Sequence, residues 1–344
     1  MPRENGRSTD NPAKLVDVIR RFQRLVVFGH DNPDPDYLAS ALAVRFIARS
    51  QAGIATVITR GGVLGRAENR AMARLLRIHL TPVEEVSIGR HTGIVLLDTQ
   101  PGTGNNSLPR EVTPHVIIDH HPRRPRISAP LADIRTEYGA TSTILTEYLS
   151  GLGMEVSSPV ATALTYGIAS ETLDLSRETG ERDIHAYLHN LLRANKRHLA
   201  QIIHPKVPRY YFSVINRALR QAFCYRSVIG ASLGEVTQPD VIAQIADFLL
   251  THERMSFAIC SGFFGDQLLI SVRSSSSRVR LGRILKTVVG RHGTAGGHEA
   301  AAAAQITCHS LVPSERVRLE ESLLLDFVAH VTRQKLVELK PLLA

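Results

Sequence analysis

At 344 residues, with 43% hydrophobic and 21% charged side chains, the chain has the composition of an ordinary globular protein and enough apolar material for two domains. Its net charge of +9 and pI near 9.8 favour an anionic partner. With no tryptophan and 5% aromatics it lacks a stacking platform for long single strands, so small anionic ligands are expected. Cys224, Cys260 and Cys308 are far apart and form no CxxC pair, which excludes a disulfide framework and leaves them as small core residues. With no signal-like apolar segment at Met1 to Pro12 and no membrane-length apolar run, a cytoplasmic location is expected.

In chain order, Lys14 to Phe22 suits a short helix and Leu25 to Phe28 a first strand. Tyr37 to Ser50 follows as a helix with Leu38, Leu42, Phe46 and Ile47 on one face, so strand, loop and helix open a βαβ unit. Ile54 to Thr59, Ile94 to Leu97 and Val116 to Ile118 read as further strands, the last two too apolar to alternate, as in a parallel sheet buried on both faces. Helices are expected over Ala67 to Arg77, Gly139 to Leu149, Ser158 to Ala169 and Glu181 to Arg197. Pro205 and Pro208 interrupt the pattern, so the organisation is a domain over 1–195, a linker over 196–225 and a second α/β domain over 226–344. In the second domain, Ser227 to Leu233, Phe257 to Gly262 and Gln267 to Arg273 read as strands; Pro239 to Thr251, Arg280 to Val289 and Pro313 to Leu339 read as helices. The fold class is α/β, a mostly parallel sheet followed by a smaller mixed domain.

The chemistry concentrates where strands end. His30-Asp31-Asn32-Pro33-Asp34-Pro35-Asp36 follows the first strand, Asp98 follows Ile94 to Leu97, and Asp119-His120-His121 follows Val116 to Ile118. The carboxyl ends of parallel strands open on a ligand crevice, so these acids and imidazoles are expected to meet. Pro33 and Pro35 stiffen the first loop in a non-helical form. The mixed His and Asp donors favour Mn²⁺ or Mg²⁺ over thiolate-rich structural zinc. For the first loop alone the competing reading is a helix cap, with Asp36 as the N-cap.

These motifs resemble the DHH phosphoesterases, named for the triplet found here at Asp119-His120-His121, and within them the oligoribonucleases and pAp phosphatases that join a DHH to a DHHA1 domain. His30 to Asp36 is similar to the family's first motif, Leu97-Asp98-Thr99 to its second, Ile118 to Pro122 to its third and Tyr166 to Thr172 to its fourth. Gly296-Gly297-His298 is similar to the glycine-rich phosphate motif of the DHHA1 domain. The resemblance implies that His30 and Asp34 hold one divalent ion, Asp36 and His120 a second, and that Asp98 bridges them. It also implies that Asp119 orients the cluster and His121 faces the scissile phosphate. Glu171 stands where the family usually has Asp, a departure that leaves it as a metal ligand of altered reach; Asp174 reads first as a solvated acid and second as a substitute ligand. Two ions, Mn²⁺ foremost with Mg²⁺ or Co²⁺ as alternatives, would generate a nucleophilic water and clamp phosphoryl oxygens. Arg273, Gly296, Gly297 and His298 would hold the substrate, although Arg273 also reads as an exposed strand-end arginine.

The implied activity is hydrolysis of short nucleotides: oligoribonucleotides, linear dinucleotides or 3′-phosphoadenosine 5′-phosphate. Neither long duplex nucleic acid nor a membrane is expected as a partner, and a homodimer is compatible with the resemblance. Two alternatives stand beside it. One is a pyrophosphatase or exopolyphosphatase, which shares the first-domain metal logic. The other is a nucleotide-binding regulator with a decayed site, for which Glu171 is the sequence signal. Arg123, Arg124 and Arg126 after the triplet read either as a local positive potential or as a solvated loop, and Arg278 is a weaker candidate substrate contact.

Overall fold

The computed structural model describes residues 11–125, 127–177, 179–276, 279–297, 300–334 and 336–343; His298, Arg126 and Arg278 lie outside the described residues. The chain divides into two compact units, residues 1–206 and 207–344.

The N-terminal unit contains α1 (Asn11–Ile19), β1 (Arg24–Phe28), α2 (Pro35–Ala52), β2 (Ala55–Arg60), α3 (Ala67–Leu75), β3 (Leu80–Pro82), β4 (Thr92–Leu97), β5 (Val116–Asp119), β6 (Leu131–Ile134), α4 (Thr141–Gly151), α5 (Ser158–Glu171), α6 (Glu181–Arg193) and α7 (Lys196–Ile203). Its six strands are all parallel in the order β3-β2-β1-β4-β5-β6. The period-two alternation sends Leu25, Val27, Val95, Leu97, Val116 and Ile118 into one core, and Val26, Phe28, Ile94, Leu96 and Ile117 into another. Both faces are therefore covered, which is why these strands are continuously apolar. The chain runs outward from β1 through β2 to β3 and then returns to place β4 on the other side of β1. That reversal is a topological switch point, where a parallel sheet leaves a crevice at its carboxyl edge.

Helix α2 leads out of that crevice and is buried nearly all round, with Leu38, Ala39, Ala41, Leu42, Val44 and Ile47 among its covered residues. Truncating Leu38 there would cost about 2–5 kcal/mol. Its N-cap is Asp34, whose side chain accepts from the Tyr37 N–H at 3.0 Å, with Pro35 in the first turn. The cap is thus Asp34 rather than Asp36.

The C-terminal unit contains α8 (Arg209–Gln221), β7 (Phe223–Tyr225), β8 (Val228–Glu235), α9 (Asp240–Leu249), β9 (Phe257–Phe264), β10 (Gln267–Ser274), α10 (Leu281–Val289), β11 (Thr294–Gly297), β12 (Ala301–Thr307), α11 (Pro313–Thr332) and β13 (Lys340–Pro341). Its mixed sheet runs β11-β12-β10-β9-β8-β7-β13, with only β8 and β9 parallel. One face packs on α10 and α11, the other on α8 and α9.

The structure differs from expectation in instructive places. The stretch 196–225, expected as a linker, is largely helical: α7 packs within the first unit and α8 within the second. The expected helix to Arg197 breaks after Arg193 because Ala194 is extended and Asn195 caps a new helix, accepting from the His198 N–H at 3.0 Å. Helix α11 stops at Thr332, where Arg333 turns left-handed. The alanine-rich stretch after the glycine pair, to which the sequence reading assigns no element, is a strand. Ala301 to Thr307 pairs with β10 on one side, and Ala302 to Gln305 with β11 on the other, so sheet pairing overrides alanine's helical propensity.

Candidate active site

The switch point fixes which side chains meet. His30 follows β1, Asp98 follows β4 and Asp119 closes β5, adjacent strands in the order β1-β4-β5. Asp98 is 2% exposed and has a left-handed backbone, φ 57, a conformation that an aspartate accepts more readily than a bulkier residue. Its carboxylate stands between two imidazoles: His30 Nε2 is 3.6 Å from Oδ2 and His120 Nε2 is 3.5 Å from Oδ1. His30 Nε2 also lies 3.3 Å from Asp34 Oδ2. Two trios therefore share one residue: His30, Asp34 and Asp98 form one, and Asp98, His120 and His121 the other, with the ligand atoms of each within 4.8 Å of one another.

Asp36 and Glu171, also expected as metal ligands, border these trios. Asp36 is fully buried, and its carboxylate accepts the backbone N–H groups of Thr141 at 2.7 Å and Ser142 at 2.8 Å, at the first turn of α4. That explains the run of small residues at Gly139 to Thr143, which lets the helix terminus reach the acid. A second buried carboxylate, Asp183, steadies the same terminus by accepting from Gly139 N–H and the Thr143 hydroxyl. Glu171 closes α5, which Gly167 brings against α2 and α4. A Cβ at Gly167 would lie 2.4 Å from Ser142 Oγ and 2.9 Å from Ala39 Cβ. Asp174 is in a run of three left-handed residues, Leu173 to Leu175, and is exposed.

The DHH triplet is held from behind. Asp119 is fully buried; its Oδ1 accepts from His121 Nδ1 at 2.9 Å and its Oδ2 from Gln100 Nε2. Gln100, 1% exposed, also accepts the Arg124 N–H at 2.7 Å and donates to the His121 carbonyl at 3.2 Å. Sequence reasoning missed this residue. Its one signal is its position two residues after Asp98, and a glutamine gives no sign by itself that it will clamp a second loop. His120 Nδ1 donates to the Tyr138 carbonyl at 3.2 Å, which leaves Nε2 as a bare lone pair in the neutral ring.

Electrostatics follow from this crowding. Burial pushes the Asp98 carboxyl well above the usual range, and the neighbouring Asp36, Asp34, Glu171 and Asp119 push it the same way. Burial, with Asp34 and Asp36, raises Glu171 to about 8. Burial would raise Asp34 too, but the adjacent His30 outweighs it and brings Asp34 down to about 2. Burial would raise Asp119, yet hydrogen bonds from His121 and Gln100 hold it low. His121 is correspondingly raised, its Asp119 partner overcoming the effect of burial.

The donor set fits divalent cations on its own evidence. His30 Nε2 and His120 Nε2 are buried without a hydrogen-bond partner, and both face the Asp98 carboxylate. An imidazole nitrogen facing a carboxylate oxygen is stabilised by a proton or a metal cation between them, and nitrogen with oxygen ligands suits Mn²⁺ or Mg²⁺ as that cation.

In the C-terminal unit, Gly296 and Gly297 lie in β11 rather than in a free loop. Gly297 has φ 149, and a Cβ there would sit 2.3 Å from the Ala301 carbonyl oxygen, so only glycine fits. Gly282, at the start of α10, also packs closely on it: a Cβ there would lie 2.5 Å from the Gly297 carbonyl oxygen. Arg273 is engaged: Nε donates to Asp247 Oδ1 at 2.5 Å and Nη1 donates to Ser271 Oγ and the Val272 carbonyl, both at 2.9 Å.

Comparison with known proteins agrees with this layout. Residues 24–168 match the DHH family, N-terminal domain, and residues 223–321 match the DHHA1 domain. The chain is 37% identical over 286 residues to the uncharacterized protein MJ1633 of Methanocaldococcus jannaschii, covering 82% of this chain and 58% of that one. It is 26% identical over 322 residues to the cyclic-di-AMP phosphodiesterase PdeA of Listeria monocytogenes, covering 88% and 48%. The chain thus spans about half the length of the curated relatives it matches. The crystal structure of an exopolyphosphatase-related protein from Bacteroides fragilis shares the fold, with a TM-score of 0.71 at 14% identity over 94% of this chain and 98% of that one.

Proposed function

Because the chain belongs to the DHH family, with a DHHA1 domain behind its DHH domain, we propose that it is a metal-dependent phosphoesterase acting on short nucleotides. The observation that carries this reading is the Asp98 carboxylate, which turns one oxygen toward His30 and the other toward His120. His30 and Asp34 would hold one divalent ion and Asp36 and His120 another, with Asp98 shared and Glu171 alongside. When bound, such ions supply a water of lowered pKa and positive charge for phosphoryl oxygens. The Asp36 carboxylate already accepts two N–H groups, so its remaining lone pairs would serve, and its orientation is fixed in advance.

The chain's own groups do the rest. Asp119 fixes the His121 ring through Nδ1 and raises its proton affinity, so Nε2 can present a proton to a phosphate oxygen. Gln100 keeps Asp119 ionised and in place. In the C-terminal unit, the close-packed backbone at Gly296 and Gly297, with Arg273 and His298, is assigned to substrate recognition. The cyclic-di-AMP phosphodiesterase among its relatives supports a dinucleotide as the substrate class, beside oligoribonucleotides and 3′-phosphoadenosine 5′-phosphate. A pyrophosphatase reading shares the first unit but leaves the DHHA1 domain without a task.

The test compares a dinucleotide, a longer RNA, 3′-phosphoadenosine 5′-phosphate and pyrophosphate with the Mn²⁺-loaded chain. Release of mononucleotide or phosphate from the dinucleotide or the bisphosphate is expected. Turnover of pyrophosphate alone, or binding without any turnover, would sink the proposal.

A further inference from the structure

The face of the C-terminal sheet beneath α10 and α11 is largely apolar, and a polar spot interrupts it. Val228, Ile259, Phe263, Ile270 and Val272 join Leu281 and Leu323 in one cluster there. By the period-two alternation, Ser232 and Ser261 belong to the same face, and they stand opposite one another in the β8–β9 register. Above them on α11 is Glu320, 4% exposed, whose Oε1 accepts from Ser232 Oγ at 2.9 Å. Ser261 is fully buried beside the same carboxyl and its hydroxyl makes no well-aligned hydrogen bond; burial holds the Glu320 carboxyl above its ordinary value, against the opposing pull of Ser261 and Ser232. A buried carboxylate offers about four acceptor positions, and one hydroxyl leaves most of them unmet. Buried polar groups left this way call for water, an ion or a ligand.

Two of these residues, Ser232 and Glu320, line an adjoining space. A cavity of about 690 Å³ reaches Ser232 and Glu320, with Phe263 and Val317 on its wall and Arg217 and Arg316 also lining it. Small-molecule sites span about 300–1,000 Å³. Arg316 is already oriented, donating from Nη2 to Asp266 Oδ1 at 2.9 Å and from Nε to the Leu311 carbonyl. Glu235 and Glu321 line the cavity as well, so acids outnumber arginines and a bare phosphate is not the match. The site is separate from the glycine strand, since β11 lies three strands from β9 in the sheet, about 14 Å at the usual spacing. Nor does it share a residue with the acid and histidine cluster, which the N-terminal unit supplies entirely.

We propose that this cavity is a second ligand site, selective for a guanine nucleotide. A carboxylate only accepts, and guanine is the nucleobase whose one edge carries two adjacent N–H donors, N1 and N2, spaced for the two oxygens of Glu320. Adenine presents an acceptor at N1 and mismatches. Phe263 and Val317 supply apolar surface for the base, and Arg217 and Arg316 the charge for a phosphate. This inference does not depend on the hydrolytic reading: it concerns a different site, and its test is made without turnover.

The test is calorimetric titration of the full chain with GMP, AMP and guanosine in the presence of a chelator. GMP is expected to bind at least about ten-fold tighter than AMP, because a site built for donors leaves its groups unpaired against the wrong edge. Glu320→Gln should lose about ten-fold or more of GMP affinity, and Arg217→Ala should weaken GMP but not guanosine. Should Glu320→Gln fail to fold, Ser232→Ala, which removes the hydroxyl that holds Glu320 at the cavity, reads the same site with a smaller loss, about two- to five-fold. Asp98→Asn should leave GMP binding unchanged. Equal affinity for AMP and GMP, no binding at millimolar GMP, or loss of binding in Asp98→Asn would overturn the proposal; the last would place the ligand at the histidine cluster.

Discussion

In the N-terminal unit, Asp34, Asp36, Asp98, Asp119 and Glu171 crowd around three histidines at the carboxyl edge of a parallel sheet. In the C-terminal unit the only deeply buried acid among the described residues, Glu320, lies mid-face beneath a helix. The difference is topological. Parallel strands all deliver their following loops to one edge, so charged residues that trail separate apolar runs are gathered without further instruction. In a largely antiparallel sheet successive strand ends alternate between edges, and a polar trio such as Ser232, Ser261 and Glu320 comes together only through register and helix packing. Crowding of like charges also favours a cation at the first site, whereas the proposed second site asks for a matching donor edge.

The sharpest way to break this contrast is at Asp98. Replacement by Asn keeps the shape and tolerates the left-handed backbone but removes the charge facing both imidazoles. Hydrolysis is expected to fall on the order of 10³-fold, with metal content falling in parallel by elemental analysis. In chelator, the Asn variant should melt no lower than the parent at pH 8, because burial and four neighbouring acids oppose the Asp98 charge. Activity within ten-fold of the parent would refute the shared-ligand role. A smaller effect is expected at Gln100. Gln100→Ala removes the Asp119 and Arg124 contacts together, and loss of such a supporting contact costs about 10–100-fold in activity or metal affinity. An unchanged kcat and unchanged metal affinity would reduce Gln100 to packing.

What could be read from the sequence divides along the same line. The strands before His30, Asp98 and Asp119 were evident because short unbroken apolar runs between polar loops read as strands buried on both faces, and the acids directly behind them then had to meet. Asp36 was visible as a candidate ligand, but its cradle on α4 was not, since the contact spans Asp36 to Thr141 and depends on how α2 and α4 pack. Asp183 was invisible for the same reason. In the C-terminal unit the alanine strand was missed because local propensity pointed the other way, and the Asp247 partner of Arg273 comes from a helix with no motif to mark it. Gln100 was passed over because a neutral side chain announces no chemistry until its two partners are in place.

The smallest expected effect concerns Glu171, where the resemblance and this chain part company. Burial first, then Asp34 and Asp36, lift its carboxyl from 4.5 to about 8, while His121 and Arg177 pull the other way. A group raised on folding contributes stability that is complete below its unfolded pKa and lost as pH rises through the folded one. In metal-stripped protein the Glu171 contribution is therefore present near pH 4.5 and gone above about 8. Glu171→Gln, neutral throughout, lacks that loss. The parent should thus fall relative to Glu171→Gln across this window, with the melting temperature shifting about 2–4 °C for each kcal/mol involved. Adding Mn²⁺ should close the gap by giving the ionised carboxylate a partner. Melting curves that run parallel for the two proteins over the whole range would mean that Glu171 is not coupled to the cluster, and the strand-edge crowding would then end at Asp98.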